Sequence, residues 1–495
     1  MSWWRNASIY QVYLRSFADG NGDGIGDLAG LRAKLQHIAS LGFDAIWLNP
    51  WYPSPLADGG YDVADYRDIE PVFGSLADAE KLIADAHGLG IRIIIDLVPN
   101  HSSDQHPWFK DGLWDRFHVR DSEEIPNDWQ SRFGGPAWSK LPDGRWYLHL
   151  YAAEQPDFNW ENQIVHDEFE DILRFWLDRG VDGFRIDVAD GLVKDFSRPD
   201  VDLPYSDQDG VHEIYRRWRQ IVDSYDGDRI LVGEMWLPDP VRFARYLRQD
   251  EMHSAFNFDF LCCPWNAQEL RSVVDSTLAA HEPVGAPPTW VLSNHDVTRH
   301  VTRYGREKTG FSFADRQHGA PTDFELGTRR ARAAIMLTAA LPGGVYVYQG
   351  EELGLWEVED LPDELREDPV WHRSGFTDRG RDGCRVPLPW SADDGPSWLP
   401  QPENWQQFSV AAQSDDPESM LALYREVFAR RRAIDGDLEW LDLGENVLAF
   451  RRGDHTCVVN LSDGPIDLPG VPTLSSIPLE DGRLPRDAAA WLSRH

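Results

Sequence analysis

IRIIIDLVPNH, residues 91–101, is a run of β-branched residues that stops at a carboxylate, Asp96, and then reaches His101. Three further segments repeat the plan: VDGFRIDV (181–188), RILVGEMW (229–236) and TWVLSNHD (289–296). Each is a short apolar run, fit for a buried strand, with acids placed just beyond it. Acids and histidines gathered beyond the ends of successive parallel strands are what an α/β barrel requires, because its reactive groups come from the C-terminal strand ends.

Working outward, eight candidate strands are legible, at 9–14, 45–49, 92–97, 183–187, 230–234, 255–260, 290–293 and 345–349. Helix-period stretches such as 28–41 and 76–89 lie between them. That alternation predicts one closed (β/α)8 TIM barrel of the α/β class, since a doubly wound sheet uses about five or six strands.

Residues 101–163 interrupt the alternation after the third strand, and they are rich in Trp, Asp, Gly and Pro. They are expected to form an inserted subdomain walling one side of the active face. The barrel then comprises residues 1–100 and 164–435, with a second irregular stretch, 356–405, over the same mouth. Short strand-like pieces broken by Gly and Pro fill 436–495, read as a separate C-terminal β-sandwich-like domain.

Hydrophobic residues make up 42% of the chain and 22 residues are Trp, which excludes a disordered chain. A formal net charge of −35 excludes a nucleic-acid partner, because phosphate binding rests on clustered Lys and Arg. A neutral small-molecule substrate is expected. The four cysteines, Cys262, Cys263, Cys384 and Cys457, show no CxxC spacing, so free thiols are expected. No secretory leader and no 18-residue apolar run are found, so the expectation is a cytoplasmic protein without a membrane partner. The sequence carries no signal of oligomeric state.

Asp187 stands two residues after Arg185, and strand alternation puts both on one face. A neighbouring guanidinium lowers a carboxyl pKa, which makes Asp187 the expected nucleophile. Glu234, beside Met235 and Trp236 and near other carboxylates, is the expected protonated acid. Asp296, with Asn294 and His295, adds a third carboxylate suited to sugar hydroxyls. One charged and one neutral carboxyl about 5–5.5 Å apart are what glycosidic cleavage with retention requires.

The loop DGNGDGIGD, residues 19–27, sets oxygen ligands at alternate positions, Asp19, Asn21 and Asp23, as a hard cation needs. It is not an EF-hand, whose closing Glu is replaced by Gly30. A structural Ca²⁺ is expected, with Mg²⁺ as the alternative and a metal-free glycine turn as the plain reading; no organic cofactor is expected.

In this order the four segments resemble those of glycoside hydrolase family 13, the α-amylase superfamily. YQVYLRSFADGNGDGIGDLAGL, WLNPWYPSPLADGGYDVADY and GRDGCRVPLPW are similar to its α-glucosidase and oligo-1,6-glucosidase branch, and GEMWLPDPVRFARYL with AFNFDFL to α-glucosidases of actinobacterial type. The resemblance implies Asp187 as nucleophile, Glu234 as acid and then base, and Asp296 as transition-state stabiliser. It further implies Arg185, His101 and His295 around the first glucose, Tyr61 as a stacking platform, and Asp58 with Arg385 as a pair gripping the non-reducing end. For the metal it implies that Asp27 and the Ile25 carbonyl join Asp19, Asn21 and Asp23. The activity so implied is exo-acting α-glucosidase on short α-glucosides. Maltose-type linkages are preferred; Val188 resembles α-1,6-cleaving members, which keeps isomaltose-type substrates open. Glucosyl transfer through the same intermediate is the alternative, and a non-catalytic sugar-binding relative the remote one.

Overall fold

A computed structural model of the chain describes residues 2–197, 203–391, 395 and 397–493. The eight barrel strands are β1 (Ser8–Val12), β2 (Ala45–Leu48), β3 (Arg92–Leu97), β4 (Gly183–Ile186), β5 (Ile230–Gly233), β6 (Ser254–Ala255), β7 (Thr289–Val291) and β8 (Gly344–Tyr348). They form one parallel sheet in the order β7-β8-β1-β2-β3-β4-β5-β6. Between β6 and β7 the ladder is missing, and the seam is bridged by a side chain: the Thr289 hydroxyl donates to the Ala255 carbonyl. The barrel is therefore nearly closed.

Helix α1 (Leu28–Leu41) starts where the Asp27 carboxylate accepts from the Gly30 N–H and stops at Gly42, whose φ of 86° no β-carbon would favour. Helix α2 (Leu76–Gly88) opens on a capping box between Ser75 and Asp78. One strand expectation overshoots. β6 ends at Ala255, and Phe258–Cys262 is a short helix capped by Asn257, whose side chain accepts from the Phe260 N–H. An apolar run of that length reads equally as strand or helix, and the cap decides it.

The inserted region after β3 holds a three-stranded antiparallel sheet, with Trp146–Leu148 between Val119–Arg120 and Trp138–Lys140. Trp129, Trp138 and Leu148 pack there with Phe196 and Tyr205 from the loop after β4, so the insertion is fastened to the active face. Among the described residues the C-terminal part holds a five-stranded antiparallel sheet, with isolated bridges Ile466–Leu484 and Glu480–Arg483 beside it. The second layer on one side is helix α3 (Phe324–Ala340), whose Met336 carbonyl accepts from the Trp491 indole. The other side is covered by apolar side chains of irregular segments, among them Ile466, Leu468 and Leu479. All four cysteines are free thiols. Among the described residues no helix is long and apolar enough to cross a membrane.

Candidate active site

Beyond the C-terminal strand ends lies a cavity of about 460 Å³. Asp187 follows β4, Glu234 follows β5 and Asp296 lies in the loop after β7; Asp58 and Tyr61 come from the loop after β2, His101 from that after β3, and Arg185 from β4 itself. The expected stretch 356–405 does cover the mouth, supplying Val370, Asp378 and Arg381; its residues 392–394 and 396 lie outside the described ones.

Arg185 is the hub of the floor. Its Nη1 donates to Asp187 Oδ1 at 2.6 Å and to Asp96 Oδ1 at 2.7 Å, while Nη2 faces Glu234 Oε2 at 3.7 Å. The Val188 N–H donates to the same Glu234 oxygen at 2.8 Å. To present that N–H, Val188 adopts φ 47°, a left-handed conformation that is costly for a β-branched residue.

Burial pushes the Asp187 carboxyl well above the ordinary carboxylate range, and Glu234 and Asp96 add repulsion against the pull of Arg185. Burial also raises Glu234, with Asp190 and Asp296 adding to it and Arg185 opposing. Arg185 does lower Asp187, as expected, but the guanidinium is divided among three acids and does not offset the loss of water. Burial thus favours the protonated form of each, and the two carboxyls titrate as a coupled pair. The shorter contact to Arg185 favours the charge on Asp187 and the proton on Glu234.

Asp296 is the opposite case. Burial works against its charge, yet His295, Arg381 and Arg385 hold it well below the ordinary range. Burial drives His295 itself toward neutrality. The two guanidiniums, at 3.1 Å from Arg381 and 3.2 Å from Arg385, therefore carry the compensating charge.

One expected pairing is different in the structure. The partner of Asp58 is Arg381, at 2.6 Å, and not Arg385. Arg381 also reaches Asp368 at 2.6 Å. Arg385 lies behind the wall, donating through Nε to the His295 carbonyl at 2.9 Å and through Nη2 to Asp296. His295 is likewise behind the surface, its ring stacked on Tyr61 at 5.3 Å and its Nε2 meeting the Tyr61 hydroxyl at 2.7 Å. Tyr61 thus shows the cavity a ring whose hydroxyl is already engaged with Asn49, Asp96 and His295. Gln155 joins His101 at 3.0 Å to Asp58 at 3.2 Å, and burial lowers the His101 pKa to about 4, so the ring is neutral.

Arg381 and Asp96 are the residues that sequence reading passed over. Both lie inside motifs that were singled out, GRDGCR and DLVPNH, so their signal was present but unassigned.

The loop 19–27 lies apart from the cavity. Asp19 accepts from the N–H groups of Asn21, Gly22 and Gly24, Asn21 Oδ1 from Asp23 N–H, and Asp23 Oδ1 from Ile25 N–H. Burial raises the Asp27 carboxyl, opposed by N–H groups of Gly30 and Gly20, with Asp19 and Asp23 as smaller causes. Among the described residues no three acidic, histidine or cysteine side chains are gathered as a group that could hold a metal ion.

A (β/α)8 barrel that closes a pocket around three carboxylates and the arginines that poise them defines a glycoside hydrolase. Residues 11–436 match the alpha-amylase catalytic domain, and the chain belongs to the α-amylase family. It is similar to a probable alpha-glucosidase of Rhizobium meliloti (strain 1021), 37% identical over 93% of this chain and 90% of that protein. It is also similar to an oligo-1,6-glucosidase of Parageobacillus thermoglucosidasius, 33% identical over 88% of this chain and 84% of that protein. Among solved structures, an alpha-glucosyl transfer enzyme, XgtA, superposes with a TM-score of 0.87 at 35% identity, over 100% of both chains.

Proposed function

We propose that the protein is a retaining exo-α-glucosidase that releases glucose from the non-reducing ends of short, maltose-type α-glucosides. The observation that carries this reading is one guanidinium, Arg185, bonded to Asp187 and facing Glu234 at 3.7 Å, at the floor of a pocket shut by the Asp58–Arg381 pair. Asp187 Oδ attacks the anomeric carbon as Glu234 gives its proton to the departing glycosidic oxygen. A water then attacks the same carbon, its proton passes to the Glu234 carboxylate, and Asp187 leaves as a carboxylate. Asp296, charged before substrate arrives, offers its oxygens to ring hydroxyls while positive charge grows at the anomeric carbon. His101, neutral, hydrogen-bonds a hydroxyl without repelling Arg185. Tyr61, propped by His295, supports the sugar face.

The Asp58–Arg381 pair is placed where the end of a chain would press, which limits the pocket to terminal glucose. In the loop 19–27, Asp19, Asn21, Asp23, Asp27 and the Ile25 carbonyl would hold Ca²⁺, or Mg²⁺ in its place, bracing the entry to α1; the ion supplies charge neutralisation there and takes no part in bond cleavage. The free thiols support a reducing, cytoplasmic setting.

Proton NMR of the glucose first released from p-nitrophenyl α-glucoside, before mutarotation, tests the reading: α-glucose is expected, and β-glucose as the first product would overturn retention. A kcat/KM panel of maltose against isomaltose reads the linkage preference, with maltose expected ahead. The similarity to an α-glucosyl transfer enzyme favours transfer as a second reading, and transfer products outweighing glucose at high maltose concentration would replace hydrolase by transferase.

A further inference from the structure

Asp296 is held from two walls. Its own chain segment runs on past the helix His300–Tyr304 toward α3 and brings Phe313 and Arg316 to the cavity, whereas the stretch after β8 brings Val370, Asp378 and Arg381. Arg316 Nη1 donates to the Asp296 carbonyl at 3.3 Å, and Arg381 Nη1 meets the Asp296 carboxylate at 3.1 Å. Placing Asp296 therefore needs both walls in register.

A histidine spans them. His318 belongs to the loop after β7, yet its Nε2 lies 3.2 Å from Asp378 Oδ1 and its Nδ1 3.6 Å from Glu359 Oε1, both acids of the stretch after β8. A ring with a carboxylate at each nitrogen satisfies both only as the imidazolium, since a neutral ring turns a lone pair toward one of them. Asp378 Oδ1 also accepts from the Gly380 N–H, which fixes the turn leading into Arg381, and Arg316 Nε faces the other Asp378 oxygen at 3.8 Å. Glu359 is fastened to the same loop by Arg306 Nη2 at 2.7 Å and by the Gly319 N–H at 3.0 Å.

The surrounding charges agree with a charged ring. Asp378, Glu359 and Glu357 act on it from the stretch after β8; Arg316 and Arg306 of its own loop share Asp378 and Glu359 with it, and Arg379 donates to the Glu359 carbonyl. Burial opposes the proton, but the pull of Asp378 and Glu359 carries His318 above its ordinary value.

Building on the glucosidase reading, we infer that His318 is a positioning residue: it bridges Asp378 and Glu359, pins the loop after β7 to the stretch after β8, and so keeps Arg316 and Arg381 on Asp296. The bridge titrates. It is complete below about pH 6.5, the ordinary histidine value; as pH rises through the raised folded value the ring loses one N–H, one acid is left facing a lone pair, and the walls loosen. Turnover falls with it by a route that does not involve the proton on Glu234.

The test measures kcat/KM of the full-length protein for α-glucosyl fluoride across the histidine range, about pH 5 to 9. Fluoride leaves without a proton, so loss of the Glu234 proton drops out of the alkaline limb. His318→Leu removes the bridge, and His318→Lys keeps a charge that does not titrate in this range. At about pH 6 the Leu variant is expected about tenfold below wild type, and the Lys variant within about threefold of it. By about pH 9 the wild type should fall to the level of the Leu variant, while the Lys variant does not fall. Circular dichroism confirms folding; if the Leu variant is unfolded, His318→Gln, which keeps one donor, takes its place. A wild type with no alkaline fall, a loss in the Leu variant equal at both pH values, or a Lys variant no better than the Leu variant overturns the inference. So does an alkaline fall that persists in the Lys variant, which would belong to Glu357, raised by burial to about 7. Absence of fluoride release from the wild type at every pH would instead remove the glucosidase reading, and this inference with it.

Discussion

The backbone N–H of Val188, the residue after Asp187, donates to Glu234 Oε2 at 2.8 Å. Two strands are thereby tied at the point where their acids meet, and the left-handed backbone of Val188 is the cost of that tie. Together with Arg185 it couples the titration of Asp187 to that of Glu234.

Activity should therefore follow a bell. At low pH the second proton lands on the pair and silences the nucleophile; at high pH the remaining proton leaves and the acid is lost. Because burial raises both carboxyls, both limbs lie above those of exposed acids. Glu234→Gln should cut kcat/KM on maltose by about 10²–10⁴-fold. It should flatten the alkaline limb and spare α-glucosyl fluoride far more, since fluoride leaves without a proton. An equal loss on both substrates would contradict the role of Glu234 as acid.

Arg381 binds Asp58, Asp296 and Asp368 at once. Arg381→Met takes the guanidinium from Asp58 and Asp368 and leaves Asp296 with Arg385 alone, so unfolding free energy should fall by about 3–5 kcal/mol. Asp58→Asn keeps the shape and removes one charge; there kcat/KM should fall by more than about tenfold, ~1.4 kcal/mol, through KM more than kcat. Denaturant titration and steady-state kinetics check both, and a smaller loss in folded Asp58→Asn would remove the pair from the sugar site.

Burial pushes Glu351, just after β8 and outside the cavity, up to about 8. A raised acid stabilises fully below its unfolded value, and that share is lost as pH rises through about 8. Glu351→Gln should therefore raise Tm near pH 9 and change it little at about pH 5. An equal effect at both would show that Glu351 is not protonated in the folded protein.

Added Ca²⁺ should raise Tm by about 1 °C per kcal/mol of binding free energy for a chain of this size, a few degrees at saturation, and EDTA should reverse it. Asp19→Ala should abolish the response, because Asp19 is the residue around which the loop folds. A response that survives in Asp19→Ala would place the ion elsewhere.

The barrel was legible because its strands are short apolar runs bounded by acids, and α1 and α2 because Asp27 and Ser75 mark their starts. The helix at Phe258–Cys262 was not, since an aromatic run of that length has no period of its own; Asn257 was the overlooked signal. Which arginine of GRDGCR meets Asp58 depends on a loop path that spacing does not encode, so Arg385 was chosen where Arg381 sits. Proximity of Arg185 to Asp187 was readable. The burial that outweighs it, and the division of that guanidinium among Asp96, Asp187 and Glu234, exist only in the folded barrel.

The most direct test of the mechanism is mass spectrometry of the protein after reaction with a slow, ring-fluorinated α-glucosyl fluoride. A single fluoroglucosyl adduct on the peptide bearing Asp187 is expected, absent in Asp187→Asn. An adduct on the peptide bearing Glu234 or Asp296, or turnover of the reagent with no covalent species at all, would contradict the assignment of Asp187 as nucleophile.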